Sequence, residues 1–444
     1  MSYDIENNIH LKQKRSRSRK VENVLVLQGG GSLGAFGCGV FKAVVKHGIK
    51  LDIVSGTSIG AINGAIIAGS KSDHPEKALE DFWLELAESS YNIIPDVLMP
   101  SYSYRKGAYL KRVPSSILNA ALLGVPKMFL PRWSSWAWRS WWPNSTDAIR
   151  PDIEIDNEAL FSFITPWSWT HSYDHSNLAK TLDNYVDYEK LSKSKIADNT
   201  TAYDGGSNDC NRDKSSKSSP VIPRFIATAV NVMTSEPIIF DSYKMDISAK
   251  HLLASSGYPL YGFPWIELNG GVFAWDGSLL SNTPVREAIN ASPRNDKHLF
   301  IVENYPRNVD RLPSNRIEVL DRARDIIFSD KTMHDIHYTK QLTLQIDLIE
   351  QLYDLLERMQ KRSQYARDIA DQKQIEEINK LYNEVVGTRG AEILSVNRIA
   401  RDSIESPHLL KNADFSTTTV RNLIAEGERK ATESLEASNR EQIQ

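Results

Sequence analysis

A serine between two glycines, in the segment Gly56-Thr57-Ser58-Ile59-Gly60, is the feature that most constrains the fold. It follows the short apolar run 51–54 and leads into the apolar stretch 61–68, which predicts a strand, a tight turn and a helix. In such an elbow the serine hydroxyl is exposed at the top of a sheet and at a helix N-terminus. Gly56 and Gly60 are needed because a Cβ there would collide with a neighbouring element. The pattern predicts an α/β fold with Ser58 as the nucleophile of an ester hydrolase.

A second unit of strand, glycine turn and helix lies about thirty residues earlier, in the segment 24–37. Its glycines allow backbone amides to approach a negative atom closely, and the dipole of the following helix favours that charge. Together with Ser58, this loop is predicted to form an oxyanion hole. The glycines concerned are Gly29, Gly30, Gly31 and Gly34.

The same glycines also fit a dinucleotide-binding fingerprint. That fingerprint requires an acidic residue about twenty positions further on, at the end of the next strand. Asp52 is the nearest candidate, but it stands at the start of the next predicted strand, which ends in the serine elbow. We therefore favour the oxyanion hole over a nucleotide loop.

Asp276 is the candidate base. It follows an apolar and aromatic run, 272–275, that predicts a strand end, and Gly277 follows it directly. A serine nucleophile needs a group that takes its proton, and Asp276 could do this as one half of a dyad. An isolated Asp-Gly pair is usually a surface turn. Here it accompanies the two other parts of a hydrolase site, which favours a catalytic role.

A Ser-His-Asp triad is the alternative to a dyad. In hydrolases with this nucleophile elbow, the histidine follows the acid in the chain, which leaves four candidates: His298, His334, His337 and His408. His298 begins a predicted strand and should lie at the edge opposite the site. The other three lie in helical or loop segments without a glycine elbow nearby, so the sequence favours the dyad.

The order Gly-Gly-Gly-x-x-Gly, Gly-x-Ser-x-Gly, Asp-Gly resembles the patatin-like phospholipases, specifically a bacterial branch. The similarity extends to residues 254–264 and to the stretches 178–191, 322–339 and 414–433, and it is weak at 192–219 and in parts of 100–175. Leu33 and Ser278 differ from the family's usual residues, but neither removes a catalytic atom. The resemblance implies a three-layer α/β fold around a mostly parallel sheet, a Ser58–Asp276 dyad, acyl ester substrates, and no metal or other cofactor.

Composition sets the broad class. The 444 residues are 41% hydrophobic, 25% charged and carry a net charge of −3, so no general attraction to nucleic acid is expected. Two cysteines, Cys38 and Cys210, exclude a disulfide framework and fit a reducing compartment. No export signal or run of about 20 apolar residues is visible, so we expect a cytoplasmic protein.

The chain divides into three predicted parts. Residues 1–20 form a disordered basic tail, with contact to anionic lipid as the weaker alternative. Residues 21–310 form the catalytic domain, with a polar, disordered insertion at 192–219. Residues 311–444 form a helical extension packed on that domain. A helical stripe there predicts intramolecular core rather than a coiled-coil partner: Ile346, Ile349, Leu352, Leu356 and Met359.

The region 100–175 is rich in tryptophan, with seven of the ten tryptophans between Trp133 and Trp169. Tryptophan favours membrane–water interfaces because its ring is apolar and its N–H is polar. A mobile lid or interfacial anchor and ordinary core packing are equally compatible with this pattern.

The leading prediction is a serine hydrolase of fatty acyl esters, a phospholipase A or lysophospholipase. Its partners would be a phospholipid or lysophospholipid and, transiently, a membrane surface. Two alternatives stay open at this point: acyl transfer to an acceptor other than water, and a lipid-binding scaffold without turnover. The sequence does not indicate an oligomeric state.

Overall fold

The computed structural model describes residues 20–95, 101–102, 111–112, 115–132, 170–192, 222–293, 295–309, 312–313, 316–329, 332–362, 376–382, 392–402 and 411–443. The tryptophans of 133–169, the basic tail up to residue 19 and the polar insertion from residue 193 lie outside these ranges. The predictions about these three segments therefore stay predictions.

A central eight-stranded sheet organises the described part of the chain. Its order is β12-β11-β1-β2-β7-β10-β9, with β8 also paired to β7. The first five strands of that order are mutually parallel, and β8, β9 and β10 pair antiparallel. The sheet strands are β1 (Val21–Leu27), β2 (Ile53–Thr57), β7 (Arg224–Asn231), β8 (Pro237–Asp241), β9 (Ile266–Leu268), β10 (Val272–Asp276), β11 (Asp296–Glu303) and β12 (Ile393–Ala400). Two small hairpins pair β3 (Ser101–Tyr102) with β4 (Lys111–Arg112), and β5 (Leu130–Pro131) with β6 (Tyr173–Asp174).

Helices cover both faces of the sheet, because the central strands are apolar on both sides. In β1, Val24 and Val26 pack into the core on one face, and Leu25 and Leu27 pack into the core on the other. The helices are α1 (Ala35–Lys46), α2 (Ile59–Ala68), α3 (Pro75–Ser89), α4 (Ser115–Leu123), α5 (Ser176–Tyr185), α6 (Ala249–Ser256), α7 (Val285–Ala291), α8 (Arg316–Phe328), α9 (Thr332–Arg362) and α10 (Thr417–Ile443). The predicted three-layer α/β fold with a mostly parallel sheet and long C-terminal helices is confirmed.

The sequence predicts a helical extension after residue 310, but the C-terminal region also contains a strand. Its residues Ile393–Ala400 form β12, the edge strand of the central sheet, parallel to β11. The strand was missed because it lacks a clear apolar pattern, and its most buried apolar side chains are Ile393 and Ile399. The predicted division at residue 310 stays a prediction, but this strand ties the C-terminal region into the sheet.

The helical stripe on α9 is only partly core. Ile346 is buried, as predicted, but Ile349 and Leu352 are exposed, so the core prediction is wrong for them. A helix of 31 residues spans about 46 Å at 1.5 Å per residue, which exceeds the length of the strands in the sheet. In its second half, Tyr353 stacks on Tyr382 of the helical residues 376–382. Within the described residues, no helix combines the length and hydropathy needed to cross a membrane.

Helix α10 packs against α1 at a pair of reciprocal glycines. A Cβ on Gly39 of α1 would overlap the carbonyl oxygen of Ile424, and a Cβ on Gly427 of α10 would overlap the carbonyl oxygen of Phe36. The two backbones therefore touch directly. Helix α1 directly follows the glycine loop, so the contact with α10 also supports the loop.

We expect Gly39→Ala to lower the free energy of unfolding by about 1–3 kcal/mol, because the added methyl group must push the two helices apart. Urea denaturation measures the change. Val45→Ala, on an exposed position of the same helix, is the control and should change stability by no more than about 0.5 kcal/mol. A Gly39→Ala protein as stable as the wild type would show that the two helices do not pack as described.

Candidate active site

Ser58 lies in a strained elbow between β2 and α2. Its backbone has φ 57° and ψ −128°. Residues other than glycine rarely adopt a positive φ. Such a conformation costs on the order of 1–3 kcal/mol and persists only where the surroundings enforce it. Here they do: a Cβ on Gly56 would overlap the carbonyl oxygen of Gly60, and a Cβ on Gly60 would overlap that of Leu27. The predicted steric roles of both elbow glycines agree with this packing.

Strand register brings Asp276 to the serine. Thr57, the last residue of β2, pairs with Thr228 of β7, and the next residue of β7, Ala229, pairs with Asp276. The two threonine hydroxyls share a hydrogen bond of 2.7 Å. Gly277 must be glycine at this point because a Cβ would overlap the Thr228 hydroxyl. Two residues 218 positions apart in the chain thus meet at one edge of the sheet.

The Asp276 carboxylate is fully buried and only partly satisfied. Its Oδ1 accepts the backbone amide of Ser278 at 2.8 Å. Its Oδ2 makes no well-formed hydrogen bond with any residue in the described ranges, and the Ser58 hydroxyl is close enough to act on the carboxylate as a hydrogen-bond donor. A buried carboxylate beside a strained serine is the arrangement that direct proton transfer requires.

Burial raises the pKa of Asp276 to about 6. The removal of water disfavours the charged form. Hydrogen bonds from the Ser278 amide and from the hydroxyls of Ser58 and Ser278 oppose this effect and limit the rise. The group is therefore ionised at neutral pH, yet it is a stronger base than an exposed aspartate.

The glycine loop places backbone amides beside Ser58. Gly30 has φ 156° and Gly31 has φ 56°, conformations that favour glycine. The amides of these two residues, and that of Ile59 at the first position of α2, have no acceptor among the described residues. Three free donors next to a serine fit the demands of an oxyanion hole.

Gly29 and Gly34 differ from the other glycines of the predicted oxyanion loop. The Gly29 amide donates to the carbonyl oxygen of Asn282 at 3.1 Å, so it is not available to a substrate. A Cβ on Gly34 would lie within 2.8 Å of the Ile59 side chain. Both residues supply space for close packing, and only Gly30 and Gly31 of the four present uncommitted amides.

A buried polar pair that the sequence analysis did not identify supports the loop. Asn304 Nδ2 donates to the carbonyl oxygens of Gln28 at 2.9 Å and Gly29 at 3.2 Å. Gln28 Oε1 accepts the amides of Asn304 and Tyr305, and its Nε2 donates to Thr283 and to the carbonyl of Phe328. Both polar residues follow apolar strands, β1 and β11, and that position at two adjacent strand ends is the signal that could have identified them.

An apolar pocket lies over the serine and the aspartate. The cavity is about 60 Å³ and its walls include Met128, Leu178, Phe263 and Phe328. A groove of about 540 Å³ adjoins it and shares Gly31, Met128 and Phe263 with its lining. The combined space suits a slender apolar group whose end reaches Ser58.

None of the four predicted histidine candidates is in this pocket as far as the structure describes them. His298 lies near the start of β11 and bonds to Ser395 at 2.7 Å, and His334 and His337 line a groove between α7 and α9. His408 lies outside the described residues. His175, which precedes the acid in the chain and was not a candidate, does line the pocket. Its Nε2 hydrogen-bonds the Leu253 carbonyl at 3.0 Å, and burial lowers the pKa of its ring.

In the described part of the chain, no group of three or more His, Cys, Asp or Glu side chains is placed to hold a metal ion.

Comparison with known proteins assigns the chain to a family. The profile of the patatin-like phospholipases matches residues 25–289, more than half of the chain, including the glycine loop, the elbow and Asp276. Lysophospholipase nte1 of Aspergillus terreus is 38% identical over 88 residues, which cover 20% of this chain and 6% of that protein. Patatin-like phospholipase domain-containing protein 7 of Mus musculus is 36% identical over 95 residues, 21% of this chain and 7% of that protein.

A longer match is lysophospholipase NTE1 of Meyerozyma guilliermondii, 30% identical over 158 residues, which cover 36% of this chain and 10% of that protein. The similarity thus spans a tenth or less of the length of these relatives. The family profile, in contrast, spans most of the sheet together with the glycine loop, the elbow and Asp276, and the chain belongs to the patatin-like phospholipase family.

Proposed function

We propose that this protein is a serine hydrolase of fatty acyl esters, a phospholipase A or lysophospholipase, with a catalytic dyad of Ser58 and Asp276. The observation that carries the proposal is the meeting of a strained serine with a buried, incompletely bonded carboxylate beneath an apolar pocket. Two of the relatives named above are lysophospholipases, which favours a phospholipid or lysophospholipid substrate. We further propose a cytoplasmic location with transient contact to a membrane surface.

The proposed reaction has two steps. In the first, Asp276 accepts the Ser58 proton while the hydroxyl oxygen attacks the ester carbonyl, and the amides of Gly30, Gly31 and Ile59 stabilise the resulting oxyanion. The tetrahedral species collapses to an acyl-serine, and the protonated Asp276 returns its proton to the departing alcohol. In the second, Asp276 takes a proton from water, which attacks the acyl-serine, and the fatty acid leaves as Ser58 regains its proton.

We expect Ser58→Ala to abolish hydrolysis of lysophosphatidylcholine and of a short nitrophenyl ester. The loss of a catalytic nucleophile costs on the order of 10⁶ in rate in a well-studied serine hydrolase. Ser235→Ala is a matched control, because Ser235 also has a positive φ, 61°, but lies in the turn between β7 and β8. Normal turnover by folded Ser58→Ala protein would refute the proposed function.

The rate of ester hydrolysis should follow the ionisation of Asp276. Because only the carboxylate can accept a proton, log kcat/KM should rise with pH below about 6 and level off above it. Asp276→Asn keeps the side-chain shape but cannot take a proton, so its rate should fall by several orders of magnitude. The rise of log kcat/KM with pH below about 6 should also disappear. If Asp276→Asn kept most activity while His175→Ala lost it, the base would be the histidine.

Gly30→Ala should reduce kcat much more than it changes KM. A side chain at φ 156° strains the loop, and its methyl would lie 3.2 Å from Asn304 Nδ2, so the amides move away from the oxyanion. Removal of one such donor costs roughly 3–4 kcal/mol in transition-state stabilisation. Gly48→Ala, also at positive φ but with open space around its Cβ, is the control and should lower stability alone. An unchanged kcat in Gly30→Ala would assign the loop a purely structural role.

A further inference from the structure

Helix α8 has its acidic residues inside and several of its aliphatic residues outside. Glu318, Asp321 and Asp325 are buried, whereas Ile326 and Ile327 are 57% and 70% exposed. Soluble helices normally show the opposite arrangement, with an apolar stripe toward the core. The inversion therefore calls for a physical explanation.

The inner face of α8 is held by ion pairs. Lys411 contacts Asp321 at 3.1 Å and Asp325 at 2.6 Å, and its own side chain is buried. Asp321 also pairs with Arg324 at 2.5 Å. Arg322 donates to the carbonyl oxygens of Pro306 and Arg307. These partners fix which side of the helix faces the protein, and they therefore determine that the apolar side chains point outward.

The outer face of α8 carries a stripe of apolar residues, preceded by the exposed Arg316 one turn earlier. Its members recur at the helical spacing i, i+1, i+4, i+7 and i+8, and all are exposed: Val319, Leu320, Ala323, Ile326 and Ile327. No carboxylate of the helix lies on this face, because all three acidic residues are buried. Such a face can enter an apolar phase without the cost of removing a carboxylate from water.

The stripe ends next to a residue that lines the pocket of the candidate active site. Phe328, the last residue of α8, lines the pocket over Ser58. Its carbonyl oxygen accepts hydrogen bonds from Gln28 at 2.9 Å and from Asn282 at 3.1 Å, so the helix end is attached to the glycine loop. Further exposed leucines stand on the neighbouring turns that also carry pocket residues: Leu260, Leu279 and Leu280.

We propose that the outer stripe of α8 is a lipid-docking surface, which lies in the membrane interface while the pocket receives an acyl ester from it. The inference rests on the proposed function, because a site for fatty acyl esters must meet the phase that holds them. The continuity of the stripe with the pocket favours a lipid surface over a protein partner or another segment of this chain. The helix lies in the interface plane, and binding energy comes from its apolar area rather than from charge.

Vesicle binding in the Ser58→Ala background tests this without turnover. The protein is mixed with phosphatidylcholine vesicles at high salt, where exposed charges are screened, and the bound fraction is measured by flotation. The Ile326→Gln/Ile327→Gln pair should reduce partitioning at least about tenfold, because the loss of two isoleucines removes much of the apolar area that enters the interface. Ile326→Leu/Ile327→Leu should bind like the parent protein.

The matched control is Leu344→Gln/Leu348→Gln on α9, another pair of exposed apolar residues on one helix. It should not affect vesicle binding. With Ser58 intact, the Ile326→Gln/Ile327→Gln variant should hydrolyse a short soluble ester at the wild-type rate and lose activity on vesicles. Its melting temperature should not fall, because both side chains are exposed. If it does fall, the Val319→Gln/Leu320→Gln pair repeats the test.

Vesicle binding that is equal in parent protein and stripe variants would overturn the proposal, and so would equal loss in the α9 control. A stripe variant that binds vesicles normally but no longer binds a copurifying protein would assign the stripe to a protein partner. Loss of soluble-ester turnover in Ser58→Ala tests the proposed function separately, so failure of one proposal is distinguishable from failure of the other.

Discussion

The site depends on the close approach of two strand–helix units at the ends of β1 and β2. Gly60, at the start of α2, has no room for a side chain because the carbonyl oxygen of Leu27 occupies that space. The residue after Leu27 begins the glycine loop, and a Cβ on Gly29 would lie 3.2 Å from the Cβ of Ser58. The position of Ser58 and that of the loop amides are therefore set by one contact, and neither can shift without the other. This is the preorganisation that stabilisation of an oxyanion requires.

Burial then sets the basicity of Asp276, the base of the proposed dyad. Burial raises the pKa of Asp276 to about 6, and the hydrogen bond from the Ser278 amide limits this rise. A lower pKa would make it a weaker base, and a much higher one would leave it protonated at neutral pH. The antiparallel pairing of β10 with β7 places Asp276 near Ser58, although the two residues lie far apart in the region 25–289 that matches the family profile.

The sequence predicted the parts of the site that local geometry demands. Ser58 with Gly56 and Gly60 can form only one kind of turn, and the continuous apolar strands before them indicate a sheet covered on both faces. Strand β12 was missed because an edge strand with few buried side chains carries little apolar pattern. Gln28 and Asn304 were missed because their hydrogen bonds join residues 276 positions apart. The order of motifs along the chain does not indicate which distant polar residues meet in the fold.

The orientation of α8 shows a second limit. Periodicity identifies which residues share a face, but not whether that face turns inward. In α8 the inward face is determined by Lys411, almost ninety residues away in the chain. Its ion pairs with Asp321 and Asp325 hold the acidic face of the helix against the protein. From the periodicity alone, the isoleucines of this helix would be predicted to be buried.

The most direct measurement of the central claim is the identification by mass spectrometry of the residue that a fluorophosphonate modifies. Our account predicts one adduct, on Ser58, formed rapidly above pH about 6, more slowly below it, and very slowly in Asp276→Asn protein. An adduct on another residue, or rapid labelling of Ser58 that is indifferent both to pH and to Asp276→Asn, would contradict it.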